Sequence, residues 1–216
     1  MTDKLSMYNM ALGHLMEGSL ASLSEGVEKR RVLDSFWVHV VGKCLEETFW
    51  KFAKRTVQID ASSTTEPAFG FTQAFRVPDD WIRTDEMSAS ETLSPPLIDV
   101  RMEAGYWYAN VTPLFLSYVS IDPLYGMNLG EWPETFVEYV GLELARKSCK
   151  RITGSKSLLE GPDGLNTEAR RAKRNAVGND AMNDPIKFPP TGSWVRSRRG
   201  NTPGTRDGGG NSSLIG

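Results

Sequence analysis

The chain is 216 residues long with a net charge of −2. That length suits one substantial core with an excursion, since typical domains run to about 100–150 residues, and no apolar run approaches the ~20 residues of a membrane-spanning helix. The weakly acidic balance argues against wholesale coating of nucleic acid, and an opening that carries an acid at once reads as no signal peptide.

Residues 3–17, "DKLSMYNMALGHLME", place Leu5, Tyr8, Ala11, Leu12 and Leu15 at three-and-four spacing, which predicts one apolar helix face ending at Gly18. Ser22 and Glu25 have the spacing of a capping box, in which each side chain satisfies a free backbone donor at a helix start. The helix that follows is predicted from about Val27 to Arg55. Its apolar residues Leu33, Phe36, Trp37, Val40, Val41, Cys44, Leu45, Thr48, Phe49 and Phe52 keep the helical period throughout.

From Thr56 to about Asp122 the chain turns β-branched and aromatic between Pro, Gly and Asp, which predicts four or five short strands in one small sheet. Ile98, Val100 and Met102 alternate, as do Leu114, Leu116 and Tyr118, and Glu103-Ala104-Gly105 fits a hairpin turn. Residues 88–96 form its longest polar loop. Helix returns at "EWPETFVEYVGLELARKSCKRITG", with Pro133 at the first helical position, acids in the first turn, bases in the last and Gly154 as the stop. A further helix from Ser155 is interrupted by "GPDG" at 161–164, so the fourth helix is predicted split or bent, and it resumes through "LNTEARRAKRNAVGNDAM". Beyond Met182, "NDPIKFPPTG" reads as a spacer. The closing "GSWVRSRRGNTPGTRDGGGNSSLIG" is too poor in apolar residues to order by itself, yet it carries Trp194 among Arg196, Arg198 and Arg199, residue types that anchor interfaces. The fold class is therefore α+β, an antiparallel helical bundle (1–55 and 131–182) with a small β-sheet insertion (56–130) and an extended C-terminal arm (183–216).

The charges are segregated. Residues 79–103 hold seven acids (Asp79, Asp80, Asp85, Glu86, Glu91, Asp99, Glu103) against Arg83 and Arg101. Residues 144–174 hold nine bases (Arg146, Lys147, Lys150, Arg151, Lys156, Arg170, Arg171, Lys173, Arg174) against Glu160, Asp163 and Glu168. Opposite faces of opposite sign suit head-to-tail packing of copies, or the steering of a charged partner. Arg170 to Arg174 reads first as a solvated helix face and, as the alternative, as a phosphate contact.

Residue patterns of catalysis are absent. Cys44 and Cys149 fall inside helical segments and read as small buried thiols. His14 and His39 have no ligand at metal-binding spacing, and there is no phosphate loop, GxGxxG, GxSxG or HExxH. Glu46 and Glu47 point about 100° apart on a helix and do not act as one pair. Asp79 and Asp80 follow Pro78 and read as a turn. No catalytic residue, cofactor or metal is assigned.

The order of "YNMALGHL…EGSLASLSEG…RRVLDSFWVHVVGKCLEETFWKFAKR", "FRVPDDWIR", "SYVSIDP…WPETFVEYVGLELARKSCKRITGS" and "GSWVRSR" resembles the head-to-tail adaptor proteins of short-tailed bacteriophages, also called tail tubular protein A. The resemblance spans most of the chain. It implies a bundle with a β-rich insertion, a ring of twelve copies under the portal protein, and a non-enzymatic role in the virion tail after assembly in the host cytoplasm. The ring would join portal to tail nozzle and fibres, and double-stranded DNA would pass through its lumen without sequence-specific binding. On this reading Trp194, Arg196, Arg198 and Arg199 are portal-docking candidates, with the docking segment running from about Pro189 to Arg199. Arg170, Arg171, Lys173, Arg174, Asp79 and Asp80 are candidates for contacts between copies, and the acidic residues lie nearer the lumen. The alternative from the residues alone is a small nucleic-acid-binding module using the basic C-terminal helix and the arginine-rich tail.

Overall fold

The computed structural model describes residues 2–183; the predicted arm and its four docking candidates lie outside the described residues. Helix α1 (Lys4–His14) starts on a capping box in which Asp3 accepts from the Ser6 amide at 2.7 Å and Ser6 accepts from the Asp3 amide. Tyr8, Ala11, Leu12 and Leu15 are buried, as the periodicity predicts, while Leu5 is only partly buried and Met7, outside the predicted face, is buried as well. The helix ends earlier than Gly18, because Met16 takes a left-handed φ of 58° and the Glu17 amide returns to the Leu12 carbonyl at 3.0 Å.

Ser22 and Glu25 do not cap the next helix. Glu25 instead accepts from the Ala21 amide at 3.0 Å and closes a separate turn, while α2 (Glu28–Glu46) begins after Val27 with no side-chain cap. Asp34 of α2 gathers Tyr8 (2.7 Å), Lys4 (3.0 Å) and Arg30 (2.7 Å), which fixes α1 against α2.

The predicted continuation of α2 to Arg55 is overturned by the structure. Trp50 folds back under the helix and its indole N–H donates to the Cys44 carbonyl at 2.8 Å, while Arg83 donates to the Glu46 carbonyl at 3.1 Å. These side chains satisfy terminal carbonyls that another turn of helix would otherwise have bonded. Phe49 and Phe52 still pack on the core, but from a loop and a 3₁₀ turn (Lys51–Ala53), so their spacing mimics a helix they do not extend.

Six strands follow, forming two three-stranded antiparallel sheets where one sheet was expected. The first sheet has the order β1 (Lys54–Ile59), β6 (Leu114–Ser120), β3 (Trp81–Ser88), so the first and last strands of the insertion pair, Lys54 opposite Val119. The second has the order β2 (Gln73–Arg76), β5 (Tyr106–Ala109), β4 (Arg101–Glu103). The β4–β5 hairpin turns at Ala104 and Gly105, both at positive φ (48° and 80°), a two-residue turn matched to strand twist. Between the sheets Phe75, Trp107, Leu114, Leu116 and Tyr118 make a second apolar core. The alternation of Ile98, Val100 and Met102 does not mark a strand through Ile98: that residue lies in the loop before β4 and is 89 % exposed.

Helix α3 (Glu134–Thr153) follows Pro133 and stops at a left-handed Gly154, as predicted to within one residue. It packs against α1, α2 and α4, and buries Phe136, Val137, Tyr139, Val140 and Leu144, each contributing about 1.5–3 kcal/mol when removed from water. Where a helix from Ser155 was expected there is only a 3₁₀ turn (Ser157–Leu159), and α4 (Leu165–Met182) begins after "GPDG" and runs unbroken. The architecture is α+β.

The expected turn at Asp79–Asp80 forms, but its two acids differ. Asp80 receives Arg55 at 2.9 Å, the Tyr118 hydroxyl at 3.0 Å and the Ser120 hydroxyl, so it ties β1, β6 and the start of β3 together. Asp80 is therefore engaged inside the chain. Burial pushes its pKa up, but the Ser120, Arg55 and Tyr118 hydrogen bonds outweigh burial and hold the carboxyl below the ordinary range. A folded pKa below the unfolded one adds stability that is complete above the unfolded value and is lost as pH falls through the folded value. Asp80→Asn should cost about 2–3 kcal/mol at pH 7 in urea unfolding. The gap from the parent should narrow below about pH 4; an equal gap at pH 7 and pH 2.5 would contradict this assignment.

Candidate functional site

Charge rather than a catalytic constellation marks the candidate site, a cleft of about 230 Å³ between α2, α3 and α4. Two carboxylates line it. Glu47, at the end of α2, accepts from the Tyr139 hydroxyl at 2.5 Å and from Lys173 at 2.7 Å, with Lys43 at 3.7 Å. Glu143 of α3 is buried and holds Lys43 at 3.1 Å and Arg146 at 2.7 Å. Arg170 and Asn166 of α4 complete the rim. Helical spacing explains the geometry: Lys43 and Glu47 are four apart, Glu143 and Arg146 three apart, so each pair shares a helix face.

Burial pushes Glu47 up, but the Lys173 and Tyr139 hydrogen bonds with the Lys173 and Lys43 charges bring it below the ordinary carboxylate range. Tyr139 is pushed well above the ordinary phenol range, first by burial and then by the nearby Cys44 and Glu47. Beneath them the Cys44 thiol is pushed up to about 12 by burial, with Glu143 and Glu47 adding to the effect, so it stays protonated. What the arrangement offers is fixed positive charge. Arg146 engages Glu143 through Nε and Nη2 and leaves Nη1 without a partner among the described residues, and Arg170 has no ion pair or hydrogen bond among them.

The predicted candidates are scattered over this frame. Arg170 is exposed on the cleft rim, while Lys173 is drawn inward onto Glu47. Arg171 lies on the opposite side of α4, 4.0 Å from Asp163, and lines a shallow groove with His14, Glu138 and Glu168. Arg174 is exposed with no partner among the described residues. Asp79 is exposed and beside Arg76 at 3.1 Å. Sequence reading passed over Lys43, Glu47, Tyr139, Glu143 and Arg146. The signal was Glu143 itself, an acid set within the run Val140–Ala145 that is otherwise apolar. Cys44 and Cys149 are buried free thiols as expected. Among the described residues, no group of His, Cys, Asp and Glu is placed to hold a metal ion, and no helix is long and apolar enough to cross a membrane.

No family model and no curated protein matches the chain.

The cleft separates residues that hold the bundle from one that does not. Glu143→Ala leaves Lys43 and Arg146 without their shared partner and should cost about 3 kcal/mol or more. Arg170→Ala should stay within about 0.5 kcal/mol of the parent. Urea midpoints of the two variants check the contrast, and equal losses would contradict it.

Proposed function

We propose that the protein is a structural head-to-tail adaptor, with copies arranged as a ring that joins a portal to a tail nozzle and continues the channel for DNA, without a catalytic step. The observation that carries the reading is where the segments of resemblance fall. "YNMALGHL" supplies the buried face of α1, "FRVPDDWIR" the β2–β3 corner with Asp80, and "SYVSIDP…WPETFVEYV" the return from β6 into α3. They fall in the bundle, in the insertion and in the return from one to the other, so the resemblance touches each part that would shape a ring subunit.

Charge segregation supports the same reading. Closure of a ring requires that one face of each copy meet a different face of the next, and complementary charge sets the register of such a contact. The acids of the insertion and the bases of α3 and α4 belong to different parts of the chain. A lumen for DNA is best lined without a dense array of cations, because each neutralised phosphate slows passage; this favours the acids nearer the channel. The arm that begins near Asp184 takes the portal-docking role, with Trp194 as anchor and Arg196, Arg198 and Arg199 as its polar grip. Twelve tethered arms ordering together would make the joint effectively permanent.

Electron micrographs of the full chain mixed with portal rings test the proposal. Rings stacked on the portal are expected, together with their loss when the chain is cut at Pro190. Undiminished binding of the shortened chain would remove the docking role of the arm. Unassembled protein that instead retains DNA in a salt-dependent manner would replace the adaptor reading with that of a nucleic-acid-binding module.

A further inference from the structure

The charges in the α2–α3–α4 cleft do not balance. Four cations line it, Lys43, Arg146, Arg170 and Lys173, against Glu47 and Glu143. The two carboxylates anchor Lys43, Arg146 and Lys173 from within the bundle, which fixes their positions and leaves N–H donors on Arg146 and Arg170 with no partner among the described residues. Donors held in place before a ligand arrives form charge-assisted bonds at a low ordering cost.

The insertion shows the converse imbalance. Of the seven acids between residues 79 and 103, four are paired within the chain: Asp79 with Arg76, Asp80 with Arg55, Asp85 with Lys54 and Glu103 with Arg101. Glu86, Glu91 and Asp99 are exposed and have no partner among the described residues. Glu91 and Asp99 both belong to the loop of residues 89–100, beside Ile98 at 89 % exposure.

We propose that the cleft is a socket for a carboxylate carried on the 89–100 loop of a second copy, with Arg170 and Arg146 as the receiving cations. This rests on the ring reading above and assigns its contact between copies. A single carboxylate suits the cleft better than nucleic acid does, because Glu47 and Glu143 in its walls repel the row of phosphates that would flank any one inserted phosphate. Ile98 would travel with the acidic loop and lose its exposed apolar surface on docking.

Two full-chain variants test the socket: Arg170→Glu, which puts a carboxylate in place of the unpaired rim cation and cancels the cleft's positive excess, and Glu91→Lys with Asp99→Lys, which reverses the loop. Each alone should raise the concentration for half-assembly at least tenfold, measured by sedimentation, with urea midpoints near the parent's. An equimolar mixture should assemble again. In an alternating ring a negative loop then meets a positive cleft at one junction, and a positive loop meets a cleft with a carboxylate at its rim at the next. Parent-like assembly of either variant alone, or no restoration on mixing, overturns the socket while leaving the ring reading intact. A parent chain that does not assemble with or without portal overturns both. Loss of salt-dependent DNA retention in Arg170→Glu with assembly unchanged would make the cleft a nucleic-acid contact and reject the proposal.

Discussion

Phe136 is the point through which bundle and insertion are joined. Its ring lies 4.7 Å from Trp50, 4.8 Å from Phe52, 5.0 Å from Trp132 and 6.3 Å from Tyr139. Trp50 and Phe52 belong to the path into the insertion, Trp132 to the path out, and Phe136 to the first turn of α3. The first and last strands of the insertion can pair only if entry and exit lie together, and this aromatic cluster supplies that closure. Both tryptophans also satisfy their indole N–H on backbone carbonyls, Trp50 on Cys44 and Trp132 on Gly126 at 2.9 Å. Gly126 is constrained in turn: a Cβ there would stand 2.1 Å from the Ser120 carbonyl oxygen.

The parts of the fold that sequence revealed are those governed by local rules. The ends of α3 follow from Pro133 and Gly154, the buried face of α1 from its period, and the β4–β5 turn from Glu103-Ala104-Gly105. The errors came where distant contacts prevail over local pattern. Phe49 and Phe52 continue the period of α2, yet Trp50 gains more by burial against Phe136, which lies far along the chain. Ser22 and Glu25 match a capping box by spacing alone, and neither side chain caps α2. The division into two sheets depends on register between strands more than fifty residues apart, as in β1 with β6, which no local window encodes. The candidate site was legible as a sign of charge but not as a cleft. Its basic residues stood out in α3 and α4, whereas Lys43 and Glu47 gain meaning only when α2 lies beside them.

Within the folded chain, opposite charges are used in two ways. Asp34, Asp80, Glu47 and Glu143 are drawn inward, where each gathers cations or hydroxyls from different elements and fixes their spacing. Removing such a partner strands the others, so these groups serve the shape of the subunit. Arg170, Arg174, Glu86, Glu91 and Asp99 take no part in that internal pairing among the described residues. Exposed charge of this kind adds little to stability, and its value lies in choosing and orienting a neighbour. A frame with its structural ions satisfied, and with unmatched ions of opposite sign on separate parts, is what the proposed ring would require.

The measurement closest to the central claim is the native mass of the full chain, alone and with portal, at low and high salt. A chain of 24.0 kDa that closes as twelve copies gives a particle of about 290 kDa, which should dissociate as salt screens the contacts between copies. A mass of one chain under every condition, portal included, would contradict the account.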